Sequence, residues 1–241
     1  IGILLDNNRQ HLQNKSILDI GSHTGIFSWA ALQLGAKFIH GIDVEKRTTK
    51  RCTDLFSKED ISTSKYKFET NDVLEFLEGV EPNSFDTVFC FGVLYYMTEP
   101  YHLLKLMARA AKETILIDTF TTSYSAVQGK DAPRTHPHLT NQILSLPLMI
   151  SCPTQTEKKD YNLPESFNRK GHNLSLTTLP THAMLELWFE SLGLAWEPLD
   201  WSSHITRPCS FQDLLTPKQK LDSHWADIYA SGIRVSYKLV I

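Results

Sequence analysis

Short apolar runs alternate with segments of helical period along the first half of the chain. The apolar runs predict strands around 17–20 and at 37–43, 66–69, 85–91 and 114–119, because strands of a parallel sheet are covered on both faces. Helical spacing predicts helices between them, at 25–34, 45–56 and 101–111, with a short one that contains Leu74, Phe76 and Leu77. This alternation predicts a parallel, doubly wound sheet whose strands all end at one ligand-binding edge.

The alternation stops after residue 120. Residues 121–178 are rich in Thr, Ser, Pro, Asn and His, and we predict a long loop that caps the substrate side. Regular structure resumes with a helix at 180–192, a strand at 194–201, a short helix or turn at 210–215 and a strand at 233–241. The predicted fold class is α/β, a doubly wound, mostly parallel seven-stranded sheet. We expect one domain over residues 1–241, with residues 121–178 as a capping insertion.

Composition and net charge limit the kinds of partner that the protein is expected to bind. The 241 residues are 41% hydrophobic and 21% charged, as in ordinary globular proteins. The net charge of −3 and the sequence pI of about 6.4 provide no general attraction to nucleic acid or anionic membranes. No apolar run approaches the roughly 18 residues of a membrane span, and no signal-peptide pattern opens the chain. One basic patch on a predicted helix is most simply a solvated face; it consists of Lys46, Arg47, Lys50 and Arg51.

Cysteine and histidine spacing argues against a metal. The cysteines are scattered, without C-x-x-C spacing, at Cys52, Cys90, Cys152 and Cys209. This pattern supports neither a disulfide scaffold nor a zinc site, and it favours a reducing, cytoplasmic location. His136 and His138 lack a carboxylate or cysteine at ligand spacing, so we predict no metal.

A glycine turn between the first strand and the first helix is the strongest functional signal. Gly21 and Gly25 give the backbone conformational freedom and allow a ligand to approach the main chain closely, with Ser22 and His23 between them. The following helix start offers unpaired N–H groups and a positive dipole end. Asp19, at the end of the strand, is placed to accept a hydrogen bond from a cationic or hydroxylated ligand. The turn therefore predicts a nucleotide-type cofactor site.

Two further acids follow the next two strands. An acid that ends the second strand accepts hydrogen bonds from ribose hydroxyls, so Asp43, with its neighbour Val44, is predicted at the ribose. Asp72 is predicted to bind an adenine amino group, with Val73 against the ring. Asp72 is equally suited to cap the helix that begins at Val73, and both roles are compatible. Together these acids predict an adenosine cofactor.

The glycine pattern then selects among adenosine cofactors. A dinucleotide fingerprint requires G-x-G-x-x-G, whereas this chain has His23 and Ile26 at the second and third glycine positions. An acid two residues before the first glycine suits a cofactor that carries an ammonium group. S-adenosylmethionine, with its ribose, adenine, sulfonium and amino-acid tail, fits these features.

Four blocks of the sequence resemble the successive motifs of class I S-adenosylmethionine-dependent methyltransferases. They are Ile17-Leu18-Asp19-Ile20-Gly21-Ser22-His23-Thr24-Gly25, Gly41-Ile42-Asp43, Asn71-Asp72-Val73, and the run from Phe85 through Phe91 and Gly92 to Tyr96. His23 departs from the D-x-G-x-G-x-G pattern of that family at its middle glycine. The resemblance implies a Rossmann-like methyltransferase fold that binds S-adenosylmethionine.

A narrower resemblance concerns the loop from Phe91 to Tyr96 and the C-terminal residues. These are similar to the tRNA uridine 5-oxyacetic acid carboxymethyltransferases and their methyltransferase relatives, as is the segment 210–215. Members that use carboxy-S-adenosylmethionine hold its extra carboxylate with a Tyr and an Arg at the positions of Tyr95 and Arg234. A lysine that this family adds from an N-terminal region has no counterpart in these 241 residues.

We therefore predict a methyltransferase that uses S-adenosylmethionine on an unidentified small-molecule acceptor, with Tyr95 at the transfer site. If the acceptor needs a general base, Tyr95, Tyr96, His102 and a histidine of the cap remain candidates. One alternative is carboxymethyl transfer from carboxy-S-adenosylmethionine to a tRNA wobble uridine. Another is a non-catalytic subunit that binds an adenosine cofactor, for which the altered glycine loop at His23 is the hint.

Overall fold

The computed structural model describes residues 1–126, 139–155, 167–204 and 225–241. Its strands, in chain order, are β1 Ser16–Ile20, β2 Phe38–Asp43, β3 Tyr66–Thr70, β4 Phe85–Phe91, β5 Ala111–Phe120, β6 Met149–Gln155, β7 Phe167–Arg169, β8 His172–Pro180, β9 Ala195–Pro198 and β10 Arg234–Val240. Its α-helices are α1 Ile26–Gln33, α2 Lys46–Lys58, α3 Val73–Glu78, α4 Pro100–Ala110, α5 Asn141–Leu144, α6 His182–Ser191 and α7 Trp225–Ala230. Short 3-10 helices lie at Asp6–His11, Thr63–Lys65, Leu94–Tyr96, Thr122–Ala126 and Ser202–His204.

Seven of these strands form one sheet, in the order β3-β2-β1-β4-β5-β10-β9. The first five pair in parallel, whereas β10 pairs antiparallel with both β5 and β9. The order reverses between β1 and β4, which is the position where open α/β sheets bind ligands. The predicted mostly parallel, doubly wound, seven-stranded sheet is confirmed.

Helices cover both faces of this sheet. Successive residues of β1 point to opposite faces, so Leu18 joins the cluster that contains Leu104 and Met107 of α4. Ile17 joins the opposite cluster, which contains Ala30 and Ala31 of α1. This two-sided burial explains why the strand sequences lack a polar side, and it fixes β1 and its glycine turn at the centre of the molecule.

The segment predicted as a long loop contains regular structure. Within residues 121–178 the strands β6, β8 and β7 form a three-stranded antiparallel sheet in that order. Its central strand is rich in Ser and Thr, and the expectation of a loop rested on this composition. Ser175 and Thr177 of β8 are nonetheless buried, because tertiary packing, rather than polarity, places this strand inside.

Element boundaries differ from prediction near the end of the chain. The helix predicted from residue 180 begins at His182, because Pro180 ends β8 and the Thr181 hydroxyl caps the helix by accepting from Met184 N–H. The strand predicted at 194–201 is limited to β9. The predicted element at 210–215, Cys209, and the histidine pair His136 and His138 lie outside the described residues.

The small antiparallel sheet lies against the edge where β4 and β5 end. The Thr122 hydroxyl, just after β5, donates to the Leu179 carbonyl of β8 at 2.7 Å. Tyr95, Phe120, Leu179 and Ile233 are buried together with Leu139 in one apolar cluster. Strand β8 therefore covers the Leu94–Tyr96 turn and the last residue of β5.

Membrane-spanning helices and metal-binding clusters are both absent from the described residues. No described helix has the length and apolar character needed to cross a bilayer. The same residues hold no group of three or more His, Cys, Asp or Glu side chains in a metal-binding arrangement.

Candidate functional site

The turn after β1 has backbone conformations that favour glycine. Gly21 and Gly25 have φ angles of +66° and +74°. A Cβ atom at Gly21 would lie 2.3 Å from Val93 Cγ2, so a side chain there has no room. His23, at the position of the missing middle glycine, also has a positive φ, of +43°. The loop keeps a glycine-like path despite the histidine.

Cys52 of α2 supports this turn from below. Its thiol donates to the His23 carbonyl at 2.8 Å. Burial raises the pKa of Cys52 to about 12, so the thiol stays protonated and inert. The sequence does not predict this contact, because Cys52 lies in α2 whereas His23 lies in the turn before α1.

Asp19 is buried beneath the turn. Its side chain accepts a hydrogen bond from the Ser28 hydroxyl at 2.5 Å and is 2% exposed. Burial, with a smaller contribution from the nearby charge of Asp43, raises the pKa of Asp19 to about 7. A cationic group bound at the turn would favour the ionised form of this carboxyl.

The Asp43 carboxylate joins the end of β2 to the glycine turn. It accepts from His23 N–H at 2.9 Å, from Glu45 N–H at 2.9 Å and from the Thr48 hydroxyl at 3.0 Å. A carboxylate has about four acceptor positions, and among the described residues Oδ2 accepts a bond from His23 alone, which leaves one position on this oxygen. This leaves room for one ribose hydroxyl. Val44, the next residue, is 38% exposed.

Asp72 caps the helix α3, which is one of the two roles predicted for it. Its Oδ1 accepts from Leu74 N–H at 2.8 Å and Glu75 N–H at 3.2 Å. No described residue bonds its Oδ2, so an adenine amino group remains compatible with the cap. Val73 packs against the large core cluster and stays half-buried.

One buried polar atom in the turn lacks a hydrogen-bond partner among the described residues. This atom is the hydroxyl oxygen of Ser22. Such a group is costly unless something bonds it. The predicted cofactor site therefore contains an unused hydrogen-bonding group, which favours a polar ligand there.

Phe91, Gly92, Tyr95 and Arg234 meet at the end of β4. The Phe91 ring lies 4.9 Å from the Phe27 and Phe89 rings. Gly92 has a φ of +76°, and a Cβ atom there would lie 3.4 Å from Arg234 Nη2 and 3.6 Å from the Tyr95 hydroxyl. The two residues predicted from the carboxymethyltransferase resemblance are thus brought together, although they are far apart in the sequence.

Tyr95 is poorly suited to act as a base. Its ring packs against Phe120 at 5.0 Å and Tyr96 at 4.4 Å, and it is 8% exposed. Burial raises the pKa of the Tyr95 phenol well above its ordinary value. The phenol is therefore protonated at neutral pH, and its role at a transfer site is that of a hydrogen-bond donor.

Asp118 is a site residue that the sequence prediction does not include. It is 1% exposed and forms an ion pair with Arg234, whose Nε and Nη2 both contact Asp118 Oδ1. The hydroxyls of Tyr229 and Ser236 donate to Asp118 Oδ2 at 2.7 and 2.6 Å. A single acid at the end of the apolar run 114–117 is the one sequence signal for this residue.

Other candidates lie apart from these residues. The basic residues of α2 are exposed on its outer side, opposite the buried Cys52 and Phe56. The imidazole of His102 faces Glu78 of α3 at 3.6 Å.

The family comparison agrees with this geometry. The family described as "Methyltransferase domain" matches residues 11–167, which is more than half of the chain. The chain belongs to this methyltransferase family. Membership confirms the predicted resemblance to methyltransferases, and together with the strand order it confirms the class I, Rossmann-like fold.

Curated relatives point to a narrower group. The chain is 31% identical over 125 residues to a tRNA U34 carboxymethyltransferase of Helicobacter pylori strain Shi470. It is 32% identical over 97 residues to a protein of the same name from Nautilia profundicola. The first match covers 48% of this chain and 46% of the relative, so the chain spans about half the length of the curated relatives it matches.

Solved structures share the fold over nearly the whole chain. A S-adenosylmethionine-dependent methyltransferase from Mesorhizobium loti has a TM-score of 0.61 at 14% identity, covering 96% of this chain and 93% of its own. The magnesium protoporphyrin IX methyltransferase of Synechocystis PCC 6803, solved with bound S-adenosylhomocysteine, has a TM-score of 0.57 at 13% identity, with 99% and 78% covered. Identities this low show the fold alone.

Proposed function

We propose that this chain transfers a methyl group from S-adenosylmethionine to a small acceptor held between the sheet edge and strand β8, which acts as a cap. One observation carries the proposal: β8 lies over the Leu94–Tyr96 turn, where Tyr95, Phe120 and Leu179 form an apolar cluster. A sheet edge that is covered by a strand and lined by apolar side chains suits a compact acceptor better than an exposed loop of RNA.

The residues at the strand ends fit the proposed cofactor. The free acceptor position of Asp43 suits a ribose hydroxyl, and Oδ2 of Asp72 suits the adenine amino group. Asp19 supplies negative charge for the ammonium group, and the Ser22 hydroxyl supplies one further polar contact. The N–H groups at the start of α1 favour the carboxylate of the amino-acid tail. When bound, S-adenosylmethionine provides a methyl group that its own sulfonium activates.

The contribution of the chain is alignment and the exclusion of water. The Tyr95 phenol, held protonated by burial, donates a hydrogen bond to the acceptor. The cluster around Phe120 and Leu179 keeps the reacting atoms dry. No described residue has the properties of a strong base at this position, which favours an acceptor that is already nucleophilic.

A labelling experiment tests the acceptor class. The protein is incubated with methyl-labelled S-adenosylmethionine and either a low-mass metabolite extract or total tRNA, with Asp43→Ala as the matched control. We expect label in the low-mass fraction and none in tRNA. Label in tRNA alone would contradict the small-acceptor proposal.

The second candidate function is carboxymethyl transfer to a tRNA wobble uridine. It is supported by the meeting of Tyr95 and Arg234 at Gly92 and by the names of the curated relatives. The pairing of Arg234 with Asp118 and the pI of about 6.4 count against it. Binding of tRNA that weakens steeply with salt would favour this candidate.

The remaining predictions concern catalysis and location. A non-catalytic subunit loses its main support, because His23 adopts a glycine-like φ and the turn keeps its path. Cytoplasmic location stays a prediction.

A further inference from the structure

A buried ion pair lies at the sheet edge beside the proposed transfer site. Asp118 of β5 is 1% exposed, and the side chain of Arg234 of β10 is 12% exposed. Strand register brings them together, because Arg234 pairs with Phe120 and Ser236 pairs with Asp118. Burial removes the hydration of both charges, so each depends on the other for stabilisation.

The pair is anchored from the Asp118 side. Nε and Nη2 of Arg234 both contact Oδ1, while Oδ2 accepts from Tyr229 at 2.7 Å and from Ser236 at 2.6 Å. Tyr229 is itself fixed by stacking on Trp201, with ring centroids 3.6 Å apart. Asp118 is therefore held in one position by several independent contacts.

The guanidinium nitrogen Nη2, which contacts Asp118, also reaches the site. Nη2 of Arg234 lies 3.4 Å from the position of a Cβ at Gly92, and the Tyr95 hydroxyl lies 3.6 Å from it. The Arg234 Cζ stands 4.6 Å from the centroid of the Phe120 ring. A ligand that approaches the backbone at Gly92 thus meets Arg234. The positive charge of this arginine is already balanced by Asp118.

The balance of charge then determines which ligand is favoured. Asp118 and Arg234 together are neutral, whereas Asp19 and Asp43 lie at the neighbouring glycine turn. A ligand with an added carboxylate meets these acids, and the cation beside it, Arg234, is already paired with Asp118. A ligand of net positive charge is favoured.

We propose that Asp118 is a donor-selecting residue: by neutralising Arg234, it favours a sulfonium donor that carries a methyl group over one that carries a carboxymethyl group. This inference rests on the proposed function, because it concerns the donor bound at that site. Asp118 acts through Arg234 and is a positioning residue. Loss of its charge would free the guanidinium to bind the donor carboxylate.

Calorimetric titration tests the inference without requiring the acceptor. Wild type and Asp118→Asn are titrated with S-adenosylmethionine, carboxy-S-adenosylmethionine and S-adenosylhomocysteine. We expect wild type to bind S-adenosylmethionine about tenfold more tightly than the carboxylated donor. In Asp118→Asn, the ratio of the two dissociation constants should shift about tenfold towards the carboxylated donor. An unchanged ratio would overturn the inference.

A double variant keeps the test valid if Asp118→Asn fails to fold. Asp118→Asn with Arg234→Gln removes both charges and leaves neither one buried alone. Its donor ratio should stay within about threefold of wild type. A selective loss of affinity for the carboxylated donor by more than about tenfold would show that Arg234 binds that carboxylate in wild type, and would overturn the inference.

Two further measurements separate the effect of the Asp118 charge from a failure of the proposed cofactor site. Tyr229→Phe removes one hydrogen bond from Asp118 and keeps its charge, so its donor ratio should match wild type; a shift as large as that of Asp118→Asn would refute the charge argument. S-adenosylhomocysteine lacks the transferred group. A wild type that binds neither it nor S-adenosylmethionine would contradict the proposed function, whereas normal binding of S-adenosylmethionine with equal affinity for the carboxylated donor would overturn only the role of Asp118.

Discussion

The buried carboxyl of Asp19 makes the stability of the folded protein depend on pH. Its burial raises the pKa from 3.8 to about 7, so the folded protein holds this proton more tightly than the unfolded chain. The proton on Asp19 therefore stabilises the folded protein fully below about pH 3.8, and this stabilisation is lost as the pH rises through about 7. A buried ionised carboxyl at neutral pH is costly unless a cation binds beside it.

Asp19→Asn should remove this pH dependence. The amide keeps an oxygen that accepts from Ser28 but cannot ionise. The free energy of unfolding of the variant, relative to wild type, should rise by roughly 2–3 kcal/mol between pH 5 and pH 8, as measured by urea denaturation. The variant should also bind S-adenosylmethionine more weakly at pH 8. A constant difference between the two proteins across this range would show that Asp19 does not titrate there.

His23 tests whether backbone conformation or side chain matters in the glycine turn. Its φ of +43° suits Gly, is tolerated by His and is poor for a β-branched residue. His23→Gly should leave the free energy of unfolding within about 1 kcal/mol of wild type, whereas His23→Val should lower it by about 1–3 kcal/mol. Denaturation with urea compares the two. Equal losses in both variants would instead assign the effect to the imidazole.

At the scale of elements, what the sequence predicts depends on which faces are buried. Strands β1 and β4 are buried on both faces and read as apolar runs, so their positions follow from the sequence. Strand β8 buries Ser175 and Thr177 as well as Leu179. Because its buried residues are partly polar, the sequence predicts a loop there. The place of the insertion after β5 was predictable; its antiparallel sheet was not.

The contact that joins β8 to the end of β5 should control how firmly the cap is held. Thr122→Val removes the hydroxyl that donates to the Leu179 carbonyl and leaves that buried acceptor without this bond, at a cost of about 1–3 kcal/mol. Hydrogen exchange should become faster in β6 and β8, while the affinity for S-adenosylhomocysteine stays unchanged. Thr53→Val, on exposed α2, is the matched control. Exchange that accelerates equally in both variants would contradict a local role for Thr122.

For the whole molecule, the sequence order of strands and helices predicts the sheet and therefore the edge where ligands bind. The same alternation brings Asp19, Asp43 and Asp72 to strand ends at that edge. The pairing of Asp118 with Arg234 could not be predicted, because it depends on the antiparallel register of β10 on β5. A long-range ion pair of this kind leaves only a single acid at the end of an apolar run as its signature.

Asp43 connects the glycine turn, β2 and the start of α2, so its loss tests the site as a whole. Asp43→Ala removes three hydrogen bonds and the acceptor proposed for the ribose. We expect the affinity for S-adenosylhomocysteine to fall by about tenfold or more, as measured by calorimetry. Thr48→Val removes one of the same bonds and keeps the carboxylate, and it should change the affinity by less than about threefold. Unchanged affinity in Asp43→Ala would mean that the ribose is placed wrongly.

The most direct test of the central claim is mass spectrometry of the small molecule released when the purified protein is denatured, followed by titration with that molecule. We expect release of S-adenosylmethionine or S-adenosylhomocysteine, bound at one site per chain. Release of carboxy-S-adenosylmethionine would contradict methyl transfer and favour carboxymethyl transfer. Release of no adenosine compound, together with no binding of S-adenosylmethionine on titration, would contradict the cofactor site itself.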